Sequence, residues 1–382
     1  MLYYAEATFG TPERDAVLEV FDNGWLSGGV QTHEFEQKLA KAWGSKYAIA
    51  VNSGSSANFL AVQALGLPKG SKIITMAMGF PTTVSAIIYH GHIPIYVDCD
   101  IPSYTINLDQ VEEVAKDADA IMFAHTLGNI CDMDRLMEIV EKYDLKLIED
   151  CCDAMGGKWD GKPIGTFGKM STVSFYPAHH MTTFGEGGAV FTDDPNIYLK
   201  AKSMRDWGRA CFCPPKVDNA CGMRFANPPF DHKYYYINLG SNLKMNEASA
   251  AFGIQQLKRL PDFIKVRKEN YQTLRDYLYD MDDRIILPES NPKADVSWFA
   301  FPLITKGDSK VHEKLEKDFG IQTRALFAGN LTKHPAYKNT GIEHGDLKNS
   351  NEVLNKAFFV GVGPRLSEQD MEYIGESILK SL

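Results

Sequence analysis

Several things are scarce in this chain of 382 residues, and each scarcity removes a class of function. Long apolar runs are missing. No stretch of 18 or more apolar residues occurs, so no transmembrane helix is expected. The opening residues, MLYYAEATFGTPERD, lack the basic stretch and apolar run of a secretory signal, so a cytoplasmic location is expected. Positive charge is in deficit. The formal net charge is -9, and an acidic chain repels phosphate backbones, which argues against nucleic acid as a partner. Internal repeats and low-complexity segments are absent. Lysine is missing from one particular place: none lies between Lys169 and Lys200.

What is present has the balance of a globular enzyme, with 44% hydrophobic and 23% charged residues. The length suits a large domain with a smaller one attached. From about residue 45 to 195, short apolar runs alternate with helical spacing. YAIAVN (47–52), KIITM (72–76), IPIYVD (93–98), AIMFAHT (120–126) and LKLIED (145–150) read as strands, as do STVSFYP (171–177) and GGAVFTD (187–193). Such alternation predicts an α/β fold with a mostly parallel sheet flanked by helices. The reading divides the chain into a large domain over 1–245 and a smaller C-terminal α/β domain over 246–382. NEASAAFGIQQLKRL (246–260) reads as an amphipathic helix opening the second. Residues 205–240 carry cysteines, prolines and aromatics with little periodicity, and long loops inside compact domains are usually functional.

Three motifs carry chemistry. NSGSSAN (52–58) follows a strand and opens a helix. Its small residues let a backbone approach an anion, the helix start offers free N–H groups, and Ser55 and Ser56 add hydroxyls. An ordinary serine helix cap fits the same residues. IEDCCD (148–153) ends a strand where α/β folds bind ligands, and a carboxylate there can keep a pyridine nitrogen protonated. A solvated acidic turn is the plainer alternative. The third motif is SFYPAHHMTTFGEGG (174–188).

At this third motif the chain resembles the DegT/DnrJ/EryC1/StrS family of sugar aminotransferases and dehydratases, which are fold-type I pyridoxal-phosphate enzymes. In the family's aminotransferases the Schiff-base lysine stands five residues after the serine that ends a strand. Ser174 plus five is His179. The resemblance covers nearly the whole chain. It implies that Ser55, Ser56 and Ser174 hold the cofactor phosphate, that Phe80 stacks on the ring, and that Asp150 pairs with the ring nitrogen. Asp153 takes the position of a glutamine that contacts the ring hydroxyl. Asn242 would reach the phosphate of a neighbouring subunit, which implies a homodimer with shared active sites. The run from His179 to Gly185 is one residue longer than the family's pattern, with Phe184 as the extra residue.

Imidazole forms no stable imine, but it exchanges protons near neutral pH. A histidine in the lysine position therefore implies pyridoxamine phosphate held without a covalent bond, and dehydration in place of amino transfer. SFYPAHH, AHTLGN (124–129) and RALFAGNLTKHP (324–335) resemble the family's 3-dehydratases of nucleotide-linked 4-keto-6-deoxyhexoses. CDP is the nucleotide favoured by that resemblance. Arg324, Asn330 and His334 are candidates for the diphosphate from their motif. His180 is the weaker candidate base, because the serine spacing selects His179.

There are seven cysteines. Cys211, Cys213 and Cys221 are spaced C-x-C-x7-C, and Cys152 follows Asp150 by two residues. Four thiolates suit a 2Fe–2S cluster or a zinc ion. The resemblance implies the cluster, with a flavin or iron–sulfur reductase as electron donor. A cluster-free dehydratase using glutamate and a non-catalytic nucleotide-sugar binder are the alternatives. Cys99, Cys131 and Cys151 read as small buried hydrophobes.

Overall fold

The computed structural model describes residues 1–214, 217, 219–226, 228–281, 283–307 and 310–382. The sheet expected from the alternating runs forms. Its strands are β1 (Tyr47–Val51), β2 (Lys72–Met76), β3 (Ile93–Val97), β4 (Ala120–Ala124), β5 (Lys146–Asp150), β6 (Met170–Ser174), β7 (Gly188–Thr192) and β8 (Ile342–Glu343). The spatial order is β1-β7-β6-β5-β4-β2-β3-β8. Only β7 runs antiparallel to its neighbours, β1 and β6. The others are parallel, and their nearly unbroken burial reflects helices packed on both faces. This is the fold of a type I aminotransferase-like enzyme.

The strand β8 was outside the sequence reading. Two residues at 342–343 pair in parallel with β3, so a C-terminal segment completes the edge of the large sheet. Such a short strand has no period to detect. The smaller sheet joins Ile285–Ile286, Ala300–Thr305, Ala357–Gly361 and Arg324–Ala325 in that order.

The amphipathic helix expected over 246–260 continues to residue 278. Asn246 caps it by accepting from the Ser249 N–H at 2.8 Å. The helix Glu247–Leu278 then runs through Pro261. A proline inside a helix removes one hydrogen bond and usually ends the pattern. Here tertiary packing overrides that cost, because the helix lies along both the N-terminal helices and the C-terminal helix Glu368–Ser381. No helix among the described residues is long and apolar enough to cross a membrane.

Candidate active site

The parallel strands end at a cavity of about 580 Å³. Its floor comes from β5 and β6. Its rim comes from the N-termini of two helices, Gly54–Leu65 and Pro81–Tyr89, and from the C-terminal segment around residues 324–334.

One end is built for an anion. Ser53 caps the first of these helices, its hydroxyl accepting from the Ser56 N–H at 3.0 Å. A side chain on Gly54 would place its Cβ 2.5 Å from Cβ of Ser174. Only glycine lets the helix start and the β6 end meet. Ser53, Gly54, Ser55 and Ser174 line the cavity together. Ser56 does not; its hydroxyl donates to Asn52 Oδ1 at 2.6 Å. Of the two serines expected at the phosphate, Ser55 is therefore the one facing the space, and Ser53 joins it.

At the floor, Asp150 is held by three donors. Asn58 Nδ2 and Thr83 Oγ1 donate to its Oδ2 at 2.8 and 2.7 Å, and the Cys152 N–H donates to Oδ1 at 3.1 Å. Asn58 is fixed in turn by Thr172 Oγ1 at 2.6 Å. Together these donors fix the orientation of the Asp150 carboxyl group. Asn58 and Thr83 went unassigned in the sequence, although Asn58 was visible as a polar residue among Ala57, Leu60 and Ala61 on a buried helix face.

His179 also lines the cavity. Its Nδ1 lies 3.1 Å from Asp153 Oδ1, off the line of a hydrogen bond. Asp153 Oδ2 is buried with no partner among the described residues. Arg267 backs this pair, donating to the carbonyls of Phe299 at 2.8 Å and His179 at 3.1 Å. Burial brings the Arg267 guanidinium down to about 10, against the pull of Asp153. His180 points the other way. It is buried, donates from Nε2 to the Ser297 carbonyl at 2.9 Å, and is held well below the usual histidine range by burial and the charge of Arg267. Phe184, the extra residue, sits at φ 61° on the surface, so the longer turn bulges outward.

Phe80 and Phe327 meet edge-on across the rim at 6.2 Å. Arg324 and His334 line the same rim, His334 donating to the Ala328 carbonyl at 2.8 Å. Asn330 does not reach it. It is fully buried and caps a short helix, accepting from the Thr332 N–H at 3.0 Å. Asn242 is solvent-facing and lies outside this chain's own cavity. Tyr4, Tyr176, Phe299 and Phe359 line the cavity and were not singled out in the sequence.

These residues fit a pyridoxal- or pyridoxamine-phosphate group. There is an amide-rich anion cradle at one end, a fixed carboxylate at the floor, an aromatic rim residue and an unpartnered buried carboxylate oxygen between them. No lysine among the described residues lines the cavity, and His179 stands there instead.

The cysteines divide. Cys152 lines the cavity, and burial together with the Asp150 carboxylate holds its thiol well above the usual range. Cys213 and Cys221 lie 3.4 Å apart on the loop. Cys213 is pulled below the usual thiol range by the Cys221 backbone N–H and neighbouring thiols, while burial raises Cys211. Among the described residues, the set of three or more ligand atoms within 4.8 Å of one another is His125, Glu149 and Cys151, and it includes none of the four. Glu149 there is already occupied by the N–H groups of Gly165, Phe167 and Gly168 at 2.7, 2.9 and 2.8 Å.

Comparison with known proteins agrees with this geometry. The lipopolysaccharide biosynthesis protein RfbH of Salmonella typhimurium is 42% identical over 96% of this chain and 88% of its own length. A dTDP-4-dehydro-2,6-dideoxy-D-glucose 3-dehydratase of Saccharopolyspora spinosa is 38% identical over 97% of this chain and 84% of its own. Among solved structures, an E. coli GDP-4-keto-6-deoxy-D-mannose-3-dehydratase with bound hydrated PLP superposes with a TM-score of 0.90 at 30% identity, covering 99% of each chain. A family model matches residues 8–379, and the chain belongs to the DegT/DnrJ/EryC1/StrS aminotransferase family.

Proposed function

We propose that this protein is a pyridoxamine-phosphate-dependent 3-dehydratase of a nucleotide-linked 4-keto-6-deoxyhexose. The observation that carries the reading is His179 beside Asp153 in a cofactor-shaped cavity with no lysine among the described residues that line it. Relatives whose names specify 3-dehydratases of dTDP- and GDP-linked sugars support it.

When bound, pyridoxamine phosphate supplies an amine that captures the sugar ketone and a ring that takes up electrons. Ser53, Ser55, Ser174 and the helix N-terminus hold the phosphate. Asp150 holds the ring nitrogen protonated. His179 takes a proton from the carbon bearing the cofactor amine and delivers one to the departing C3 hydroxyl. Asp153 faces Nδ1 at 3.1 Å and orients the imidazole. Arg324 and His334 stand at the mouth for the diphosphate. Asn242 contributes to the phosphate site of a second copy in a homodimer.

The cysteines make the reaction reductive in this proposal. Cys211, Cys213, Cys221 and Cys152 would hold a 2Fe–2S cluster, which would supply one-electron chemistry there with a reductase as donor. The close pair Cys213 and Cys221 and the lowered Cys213 thiol support ligation. The raised Cys152 thiol must lose its proton to join them. That no three of these four thiols gather within 4.8 Å of one another among the described residues favours a second reading, a cluster-free dehydratase that regenerates its cofactor with glutamate. A relative with a trapped PLP-glutamate geminal diamine supports that alternative.

The test is incubation of anaerobically prepared protein and pyridoxamine phosphate with CDP-, dTDP- and GDP-linked 4-keto-6-deoxyhexoses, read by mass spectrometry. Loss of water from one of them is expected, with CDP favoured. Iron and sulfide analysis on the same sample separates the reductive form from the glutamate-dependent one. No water loss from any substrate would sink the proposal.

A further inference from the structure

The wall of the cavity between His179 and Arg324 is a continuous row of rings, and its outermost member comes from the start of the chain. His179 lies 5.3 Å from Phe299. Phe299 meets Phe359 edge-on at 5.9 Å, and Phe359 meets Tyr4 edge-on at 5.7 Å. The guanidinium of Arg324 lies over the Tyr4 ring, 4.7 Å from its centre. All five line the cavity.

Tyr4 is not there by accident of a loose terminus. The Leu2 N–H donates to the Gly320 carbonyl at 2.8 Å, and the Gln322 N–H donates back to the Leu2 carbonyl at 2.9 Å. Gln322 Oε1 accepts from the Tyr4 N–H at 3.4 Å. On the other side the chain passes so close to Gly361 that a Cβ there would lie 2.3 Å from the Tyr4 carbonyl oxygen. These contacts clamp the first residues between the segment leading to Arg324 and the strand carrying Phe359.

Arg324 itself has little else to hold it. One guanidinium nitrogen donates to the Thr323 carbonyl at 2.7 Å. The side chain is otherwise exposed. A free arginine loses considerable rotamer entropy when it grips an anion. Stacked on an aromatic face, its planar fork is already oriented, and its remaining N–H groups are free to meet two phosphate oxygens.

We propose that Tyr4 is a positioning residue for substrate: its ring presents Arg324 to the diphosphate of the nucleotide sugar, at the far end of the aromatic wall from His179. This rests on the nucleotide-sugar reading above. It assigns the N-terminal segment a direct part in the site, and it predicts that the ring matters while the hydroxyl does not.

The experiment is equilibrium binding of CDP, dTDP and GDP to protein loaded with pyridoxamine phosphate, for wild type, Tyr4→Phe, Tyr4→Ala, Arg324→Ala and the Tyr4→Ala/Arg324→Ala double variant. Cofactor absorbance serves as the check that each variant is folded and loaded. The preferred nucleotide should bind Tyr4→Phe within about 2-fold of wild type and Tyr4→Ala about 5-fold more weakly. The double variant should bind no more weakly than Arg324→Ala alone, because Tyr4 acts through Arg324. In turnover, Tyr4→Ala should raise KM and leave kcat unchanged. Wild-type affinity in Tyr4→Ala, or equal losses in Tyr4→Phe and Tyr4→Ala, would overturn the role of the ring. Failure of wild type to bind any of the three nucleotides would overturn the nucleotide-sugar reading itself, which is a different result.

Discussion

The cavity floor and the loop over 205–240 differ in how their reactive groups are held. At the floor, the groups are fixed by neighbouring elements: Asp150 ends a strand, Asp153 and His179 follow strand ends in short turns, and Arg267 lies on the long helix behind them. Asp150 has three donors, and Arg267 is buried with two carbonyl acceptors. On the loop, Cys221 is exposed, and the same stretch carries exposed apolar side chains such as Phe225 and Leu239. Pre-organisation on rigid elements suits proton transfer, where a small misplacement costs much rate. Thiols that await a metal need no such frame, since the metal itself supplies the order.

The largest expected effect breaks the floor. Replacing His179 by asparagine removes the acid/base while keeping a polar side chain of similar reach. Turnover in a single-turnover dehydration assay should fall about 10² to 10⁴-fold, with cofactor retention unchanged. A fall of less than tenfold would move the acid/base role elsewhere, with Tyr176 the next group to test.

Arg267→Met probes the frame beneath. It removes a buried cation and leaves the carbonyls of Phe299 and His179 without the donors it supplies. Leaving buried acceptors without a donor costs about 1–3 kcal/mol each, readable by urea denaturation. Near-native stability would mean that the two carbonyls find other donors once the guanidinium is gone.

A third test uses pH. His180 is held neutral by burial, so its folded value lies below the unfolded one. The unfolded chain then binds the extra proton first. Stability from this group is complete above the unfolded value of about 6.5 and declines as pH falls below it, by at most about 1.4 kcal/mol per unit. His180→Gln should flatten the stability curve between about pH 6.5 and 5.5. An unchanged slope would show that other groups set the acid limit.

The smallest effect on the fold belongs to the loop. Cys213→Ser changes an accessible side chain, so stability should move by no more than about 0.5 kcal/mol. If the cluster forms there, the same substitution should remove iron and sulfide from anaerobic protein. Full iron content in Cys213→Ser would exclude the loop as the ligand set.

Much of the site was legible because its parts are short and local. NSGSSAN, IEDCCD and SFYPAHH each mark a strand end by composition, and the serine spacing singled out His179 over His180. The structure turns His180 into the core and His179 into the cavity. Other parts depended on long-range packing. Ser56 was expected at the phosphate and instead bonds Asn52. Asn330 was expected at the diphosphate and instead caps a helix. In both cases the motif named the neighbourhood, while helix geometry chose which residue faced it.

The missing lysine marks the division between what the sequence and the tertiary structure decide. Its absence between Lys169 and Lys200 is a property of the sequence, and it alone rules out a protein imine at that position. The alternating apolar runs likewise determined a mostly parallel sheet, because strand and helix periods are local. Only the folded chain could bring Arg267 behind His179, carry a helix through Pro261, add Ile342–Glu343 to the sheet edge and clamp Tyr4 against Arg324. Those contacts join residues up to hundreds of positions apart, and no local pattern encodes them. They are decided by which surfaces are buried when the two sheets and the long helix pack together.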